Sequence, residues 1–134
     1  KEKTHVSGCT ELGKDAFTII DHGPCPSEEE LDKFKGIYNS TWTHNASSAG
    51  FHLAGVASGH FDAFVGPRQK AHELGAGYLL IKEAGGYIIT LEGKTIDNAL
   101  FEFDKVYPII AAATPELAEK LRQKIKISCI SSSI

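Results

Sequence analysis

The residues of this chain that could do chemistry are concentrated between Ala46 and Gly86, where His72 and Glu73 open a helix-like run. The pair begins like the zinc-protease pattern HExxH, which requires a second histidine at position 76, where this chain has alanine. This argues against a zinc protease. A glutamate in a first helical turn interacts favourably with the helix dipole, and the pattern alone favours this structural role for Glu73.

Two further groupings could carry chemistry. His44, His52 and His60 are spaced by eight residues, which nearly returns to the same face of a helix. Only His52 falls inside a predicted helix, so separate histidines are favoured over a three-histidine metal site. Cys25 lies in a Pro-Cys-Pro turn near His22, which could pair a thiol nucleophile with a base. The two prolines favour a rigid structural turn instead.

Composition and charge narrow the class of protein. The chain has 134 residues, which suits one domain, and a net charge of −3. We expect no nucleic acid polymer and no membrane as partner, because both favour a clustered basic surface and no apolar run approaches the roughly 20 residues of a bilayer span. Three cysteines without a CxxC motif argue against a disulfide framework or a structural zinc site. The expected location is cytoplasmic.

Strand-like and helix-like segments alternate along the chain. We predict strands over residues 17–20, 37–43, 61–65, 87–91 and 106–113, and helices over residues 27–36, 47–58, 71–84 and 114–126. Gly36 is expected to stop the first helix, and Gly66 is expected to start a loop. The alternation predicts an α/β fold, a layered α/β/α arrangement with helices on both faces of a mixed or mostly parallel sheet. Residues 1–15 are a polar segment, 16–126 the domain, and 127–134 a tail or last strand.

The segment 46–86 resembles the C-terminal half of the inositol monophosphatase-like family of metal-dependent sugar phosphatases. That family includes inositol monophosphatases, archaeal-type fructose bisphosphatases and nucleotide 3′-phosphatases. The matching stretches are ASSA at 46–49, VASG at 56–59, HFDAF at 60–64, HELGAG at 72–77 and KEAGG at 82–86. They stand in the family's order and spacing, and the resemblance covers about residues 40–125.

The resemblance implies roles for particular residues. Glu73 stands at the position of the metal-binding aspartate, so it is the expected catalytic residue and Mg²⁺ ligand, although it is one methylene longer. His72 replaces a tryptophan, and Gly66 falls where inositol-specific members have an acid, which argues against inositol monophosphate as the favoured substrate. The expected substrate-binding residues are Ala46, Ser47, Ser48, Gly66 and His72.

The function implied by the resemblance is Mg²⁺-dependent hydrolysis of a sugar-phosphate, inositol-phosphate or nucleotide phosphate monoester by direct attack of water. In family members the N-terminal half of the chain carries a metal-binding glutamate motif and an Asp-Pro-Ile-Asp-Gly-Thr motif. Neither motif is found in this sequence. This chain is therefore expected to supply one metal ligand and the substrate side of the site, and to act only when joined to that half. The expected partner is that half or a second copy. The alternative is a non-catalytic ligand-binding or interaction module.

Overall fold

A computed structural model describes residues 2–126. The predicted tail or last strand at 127–134 lies outside the described residues. The strands are β1 (Phe17–Ile20), β2 (Trp42–Asn45), β3 (Ala63–Lys70), β4 (Tyr87–Thr90) and β5 (Val106–Ala112). The helices are α1 (Glu28–Tyr38), α2 (Ala49–Ala57), α3 (Ala71–Glu83) and α4 (Pro115–Gln123). In this part of the chain no helix has the length and apolar character needed to cross a bilayer.

The strands form one mixed sheet in the order β2-β1-β3-β5-β4. β1 is parallel to both β2 and β3, whereas β5 is antiparallel to β3 and β4. The parallel neighbours are joined through helices, as parallel pairing requires. Because β1, β2 and β3 run in the same direction, their carboxyl ends lie at the same edge of the sheet.

Helices cover both faces of the sheet, which confirms the predicted α/β architecture. Ile19 and Phe64 point to the face packed by α2 and α3. Ile20 and Val65, their neighbours in sequence, point to the face packed by α1 and α4. This alternation follows from the two-residue period of a strand. All four side chains are buried, and each contributes about 1.5–3 kcal/mol relative to an exposed position.

Helices α2 and α3 pack against each other at very short range. A Cβ atom on Gly77 of α3 would lie 2.3 Å from Leu53 Cδ1 of α2. A Cβ atom on Gly55 would lie 2.3 Å from the ring of Phe61. The sequence of α2, AGFHLAGVA, contains no charged residue. The two helices therefore form a close-packed apolar pair on one face of the sheet.

Two predicted boundaries are wrong. Helix α1 does not stop at Gly36 but continues to Tyr38, so the strand predicted over 37–43 begins only at Trp42. Gly36 serves packing instead, because a Cβ there would lie 2.5 Å from the carbonyl oxygen of Lys124. Gly66 does not start a loop either. β3 continues to Lys70, with a register irregularity against β5 between Gly66 and Gln69.

Candidate functional site

Ala46, Ser47, Ser48 and Gly66, four of the five predicted substrate-side residues, lie near the carboxyl edge of the three parallel strands. Asp21 directly follows β1, residues 46–48 follow β2, and Gly66 lies on β3. The Asp21 N–H donates to the Val65 carbonyl at 3.0 Å. The Ser47 hydroxyl donates to Asp21 Oδ1 over a longer 3.4 Å. Asp21 thus links the turn after β2 to β3, at the kind of edge where α/β sheets bind ligands.

The turn at Ala46, Ser47 and Ser48 is open to solvent. All three residues are exposed. Ser48 is the N-cap of α2, yet its side chain makes no capping hydrogen bond. Ser48 and the exposed Gly50 in the first turn of α2 are therefore accessible to a ligand at this edge.

Gly66 is not an open slot in the site. A Cβ atom there would lie 2.5 Å from Gln69 Cγ and 2.9 Å from Phe64 Cε2. The register irregularity brings the Gln69 side chain over the glycine, and Gln69 is only 3% exposed. The space that a side chain at position 66 would need is therefore already filled by Gln69.

Two buried polar side chains lie on the same face as this edge. His52 of α2 packs its ring 5.2 Å from the ring of Phe64. His52 Nδ1 and Gln69 Oε1 are buried and have no hydrogen-bond partner within residues 2–126. Burial lowers the pKa of His52, and the negative charge of Asp21 opposes that shift in part. The His52 ring is therefore neutral at pH 7. The sequence pattern did not single out Gln69, because a lone glutamine on a strand gives no recognisable signal.

His72 and Glu73 open α3, as predicted. The N–H of Lys70 donates to Glu73 Oε2 at 2.7 Å, so the glutamate caps its own helix. Glu73 is half-buried and His72 is exposed, with its ring 5.8 Å from the ring of Phe103. The helix-stabilising role of Glu73 is thus present in the structure. The hydrogen bond from Lys70 uses one of the two carboxylate oxygens of Glu73.

The residues that the structure describes do not by themselves fit a Mg²⁺ site. Across residues 2–126 no group of three His, Cys, Asp or Glu side chains could hold a metal ion. Mg²⁺ requires near-octahedral oxygen ligands, and Glu73 alone does not meet that requirement.

The histidines spaced by eight do not converge. His52 is buried, whereas His44 is exposed on β2 with its ring against Phe17. His60 Nδ1 hydrogen-bonds to Ser58 Oγ at 2.6 Å. They remain separate, as the sequence favoured.

The Cys25 turn has the structural character that its prolines predict. Cys25 is exposed and has a backbone φ of 53°. His22, the base that could activate it, is buried and instead bonds through Nε2 to Tyr38 Oη at 2.8 Å. Burial lowers the pKa of His22. The histidine is therefore part of the packing beneath α1 rather than a partner of the thiol.

This chain is similar in sequence and in fold to known proteins. The sequence profile of the inositol monophosphatase family matches residues 2–128. A fructose-1,6-bisphosphatase/inositol-1-monophosphatase of Methanothermobacter thermautotrophicus is 34% identical over 82 residues, which cover 60% of this chain and 29% of that protein.

Solved structures share the fold. The extragenic suppressor protein suhB of Bartonella henselae matches with a TM-score of 0.76 and 24% identity, over 93% of this chain and 46% of that one. The inositol monophosphatase of Anabaena matches with a TM-score of 0.71 and 22% identity, over 92% of this chain and 50% of that one. The chain thus spans about half the length of these structures. Because the family profile covers nearly all of its residues, the chain belongs to the inositol monophosphatase family.

Proposed function

We propose that this chain supplies the substrate side of a phosphatase that hydrolyses a phosphate monoester of a sugar, an inositol or a nucleotide. In this proposal Ala46, Ser47, Ser48 and His72 line the substrate side, whereas Gly66 is buried beneath Gln69. Glu73 offers one oxygen to a Mg²⁺ ion whose other ligands come from outside residues 2–126. The observation that carries the proposal is that the turn after β2 meets the end of β1 at the carboxyl edge of the parallel strands, beyond which β3 leads into α3.

The direction of the helices supports a phosphate ester as ligand. α2 follows β2 and α3 follows β3, so both helices begin at the carboxyl edge of the parallel strands. A helix N-terminus carries a partial positive charge and free amide donors, which favour an anion. Glu73 occupies this position on α3, but the N-terminus of α2 has no side-chain cap. A phosphate ester that approaches the start of α2 therefore meets its partial positive charge and the Ser48 hydroxyl, whereas the Ser47 hydroxyl already donates to Asp21.

The outer face of α2 and α3 supports a protein partner. Phe51, Leu79 and Leu80 are 65%, 59% and 48% exposed. An apolar groove of about 770 Å³ runs beside them, lined in part by Ala54 and Phe61. A helix that is apolar on all sides is typical of a buried helix. We therefore propose that this face packs against the N-terminal half of the same enzyme, or against a second copy.

The proposed compartment is the cytoplasm. Cys9 and Cys25 are free thiols, as is usual for proteins of a reducing environment.

The test of the proposed function is phosphate release by a polypeptide that joins this chain to the half its relatives carry in addition. Glu73→Gln is the informative variant, because glutamine can still accept the Lys70 amide and keep α3 capped. We expect this variant to lose about 100-fold or more in kcat. Glu116→Gln, exposed in the first turn of α4, is the matched control and should retain full activity.

Equal activity of Glu73→Gln and the unchanged enzyme would remove Glu73 from the mechanism. A calorimetric titration of the 134-residue chain with Mg²⁺ checks the other half of the proposal. Tight, stoichiometric binding by the chain alone would contradict the claim that most ligands lie elsewhere. Ligand binding without phosphate release by the joined polypeptide would favour a non-catalytic module.

A further inference from the structure

We infer that the outer face of α2 and α3 is a two-fold interface between two copies of this chain, and that Phe51 of each copy enters the groove of the other. The choice of a second copy rests on the proposed use of this face for a partner, and not on the proposed reaction. The juxtaposition that carries the inference is a projecting aromatic side chain at the rim of an apolar groove of about 770 Å³, on a face whose middle carries no charge.

The two helices give this face a direction. Both begin at the carboxyl edge of the parallel strands and end at the opposite edge, so α2 and α3 run parallel to each other. Phe51 lies in the first turn of α2, whereas Gly55, Ser58 and Leu80 line the groove further toward the helix ends. The projecting ring and most of the groove therefore lie at different levels of one face.

Small residues on α2 leave room for an incoming side chain. Ala54 and Ser58 are exposed, and the ring of Phe61 lies so close to Gly55 that a Cβ there would be 2.3 Å from it. The Phe51 ring meets the Phe61 ring edge-on, with centroids 5.9 Å apart, which holds it at the rim. Phe51 is still 65% exposed, so the described part of the chain leaves most of its side chain uncovered.

A two-fold axis through this face brings ring and groove together. The axis sets α2 antiparallel to its copy, so Phe51 near the start of one helix comes to lie over Ala54 and Ser58, further along the other. The contact then occurs twice, because in such an interface residue i of one copy meets residue j of the other and j meets i. Each copy thus supplies both the side chain and its pocket.

The absence of charge favours a second copy as the partner. α2 carries no charged residue, and α3 carries none between Leu74 and Ile81. A charged partner surface would lose its water here without gaining an ion pair, so the matching surface is also uncharged. Helices α1 and α4 do not meet this requirement, because charged residues run along both. The face of α2 and α3 itself does.

The exposed apolar area is of the size that a dimer of moderate affinity needs. With about 200 Å² for a whole side chain of this kind, Phe51, Leu79 and Leu80 together expose roughly 300 Å². A standard interface buries about 800 Å² on each partner, somewhat more than half of it apolar. The three side chains and the small residues between them approach that amount, so we expect a dissociation constant on the order of 10 µM.

The experiment is sedimentation velocity of the 134-residue chain from about 1 µM to about 300 µM, a range that brackets the expected constant. The chain should show a monomer–dimer equilibrium without larger species. Leu80→Glu places a carboxylate in the groove and should weaken dimerisation roughly 100-fold, because the charge is buried without a partner. The matched control is Leu31→Glu, a helical leucine of similar exposure on α1, which should leave the dissociation constant unchanged.

Two measurements support this comparison. Circular dichroism of Leu80→Glu shows that the variant is folded. In a mixture of isotope-labelled and unlabelled chains, filtered NOEs should connect the Phe51 ring of one copy to the methyl groups of Ala54 and Leu80 in the other. These contacts identify the interface without any substitution.

Four results would overturn the inference. They are a chain that stays monomeric throughout the range, an equal loss in Leu31→Glu, oligomers that keep growing with concentration, and a dimer without Phe51 contacts between copies. A joined polypeptide that hydrolyses its ester as a monomer would show that the N-terminal half covers the face, which refutes the inference alone. A joined polypeptide that dimerises through this face without releasing phosphate would refute the proposed function alone.

Discussion

Replacing Gly77 with alanine should destabilise the chain, whereas the same replacement at Gly75, two residues earlier on α3, should stabilise it. An alanine Cβ at 77 would lie 2.8 Å from Leu53 Cβ, an atom that moves only if helix α2 moves. At Gly75 a Cβ would meet nothing within 4 Å. The two positions share a helix and differ mainly in what lies opposite them.

The magnitudes follow from two opposing effects. Overpacking a core contact costs about 1–3 kcal/mol, and the short distances at Gly77 favour the upper half of that range. Alanine also gains about 1 kcal/mol over glycine inside a helix, at both positions. The free energy of unfolding should therefore fall by about 1–2 kcal/mol in Gly77→Ala and rise by about 0.5–1 kcal/mol in Gly75→Ala. In a domain of this length, 1 kcal/mol corresponds to about 3–4 °C in Tm.

Thermal and urea unfolding of both variants give the test, and a double-mutant cycle with Leu53→Ala identifies the contact. Leu53→Ala alone should cost about 2–5 kcal/mol, because this leucine is fully buried. In that background Gly77→Ala should be clearly less destabilising, because the contacts with Leu53 Cδ1 and Cγ at 2.3 and 3.1 Å are removed and only the contact with Cβ remains. A Gly77→Ala variant as stable as the unchanged chain, or equally destabilising in both backgrounds, would refute the close packing of α2 on α3.

Two further predictions concern pH and association. His22 and His52 have folded-state pKa values lowered below the ordinary 6.5 by burial, so protonation favours the unfolded chain. Their stabilising contribution should be complete above pH 6.5 and decline as the pH falls below it. The free energy of unfolding, measured with urea at pH 7.5 and 5.5, should show this decline. The decline should be smaller in a His22→Gln/His52→Gln variant than in His44→Gln, a control at an exposed site. Equal declines in the two variants would contradict the prediction. The chain alone should self-associate through the apolar face, and sedimentation should show more monomer in Phe51→Ser than in Trp42→Ser, a control with the same 65% exposure. A monodisperse unchanged chain would oppose this.

The sequence predicts helices and strands well where the determining interactions lie within a few residues of each other. Helix α1 begins with a capping box between Ser27 and Glu30, and α4 begins with a Thr114 cap followed by Pro115, both of which are recognisable from the residue types alone. The buried runs at 17–20 and 106–112 form strands, as their β-branched and apolar residues indicate.

Long-range packing explains what the sequence could not predict. Gly36 looked like a helix stop, but its missing side chain admits the carbonyl of Lys124, which is 88 positions away. Gly66 has the pattern of a loop start, yet pairing with Ile109 of β5 keeps it in a strand. A local pattern contains no information about such a partner.

The candidate site likewise has parts that the sequence predicts and parts that it does not. The turn after β2 and the His72-Glu73 pair at the start of α3 are recognisable in the sequence. That Asp21 stands beside Ser47 follows from the pairing of β1 with β2 and β3, and the covering of Gly66 follows from a register irregularity. Neither contact leaves a local signature.

The sheet order has a consequence for how the chain is made. β5 lies between β3 and β4, although it is the last of the described strands to be synthesised. Until residues 106–112 have left the ribosome, β3 and β4 each present an unpaired edge on either side of a gap. Open edges with apolar side chains readily pair with other chains. The late insertion of β5 therefore makes the nascent chain dependent on protection from aggregation, and closure of the sheet becomes one of its final folding steps.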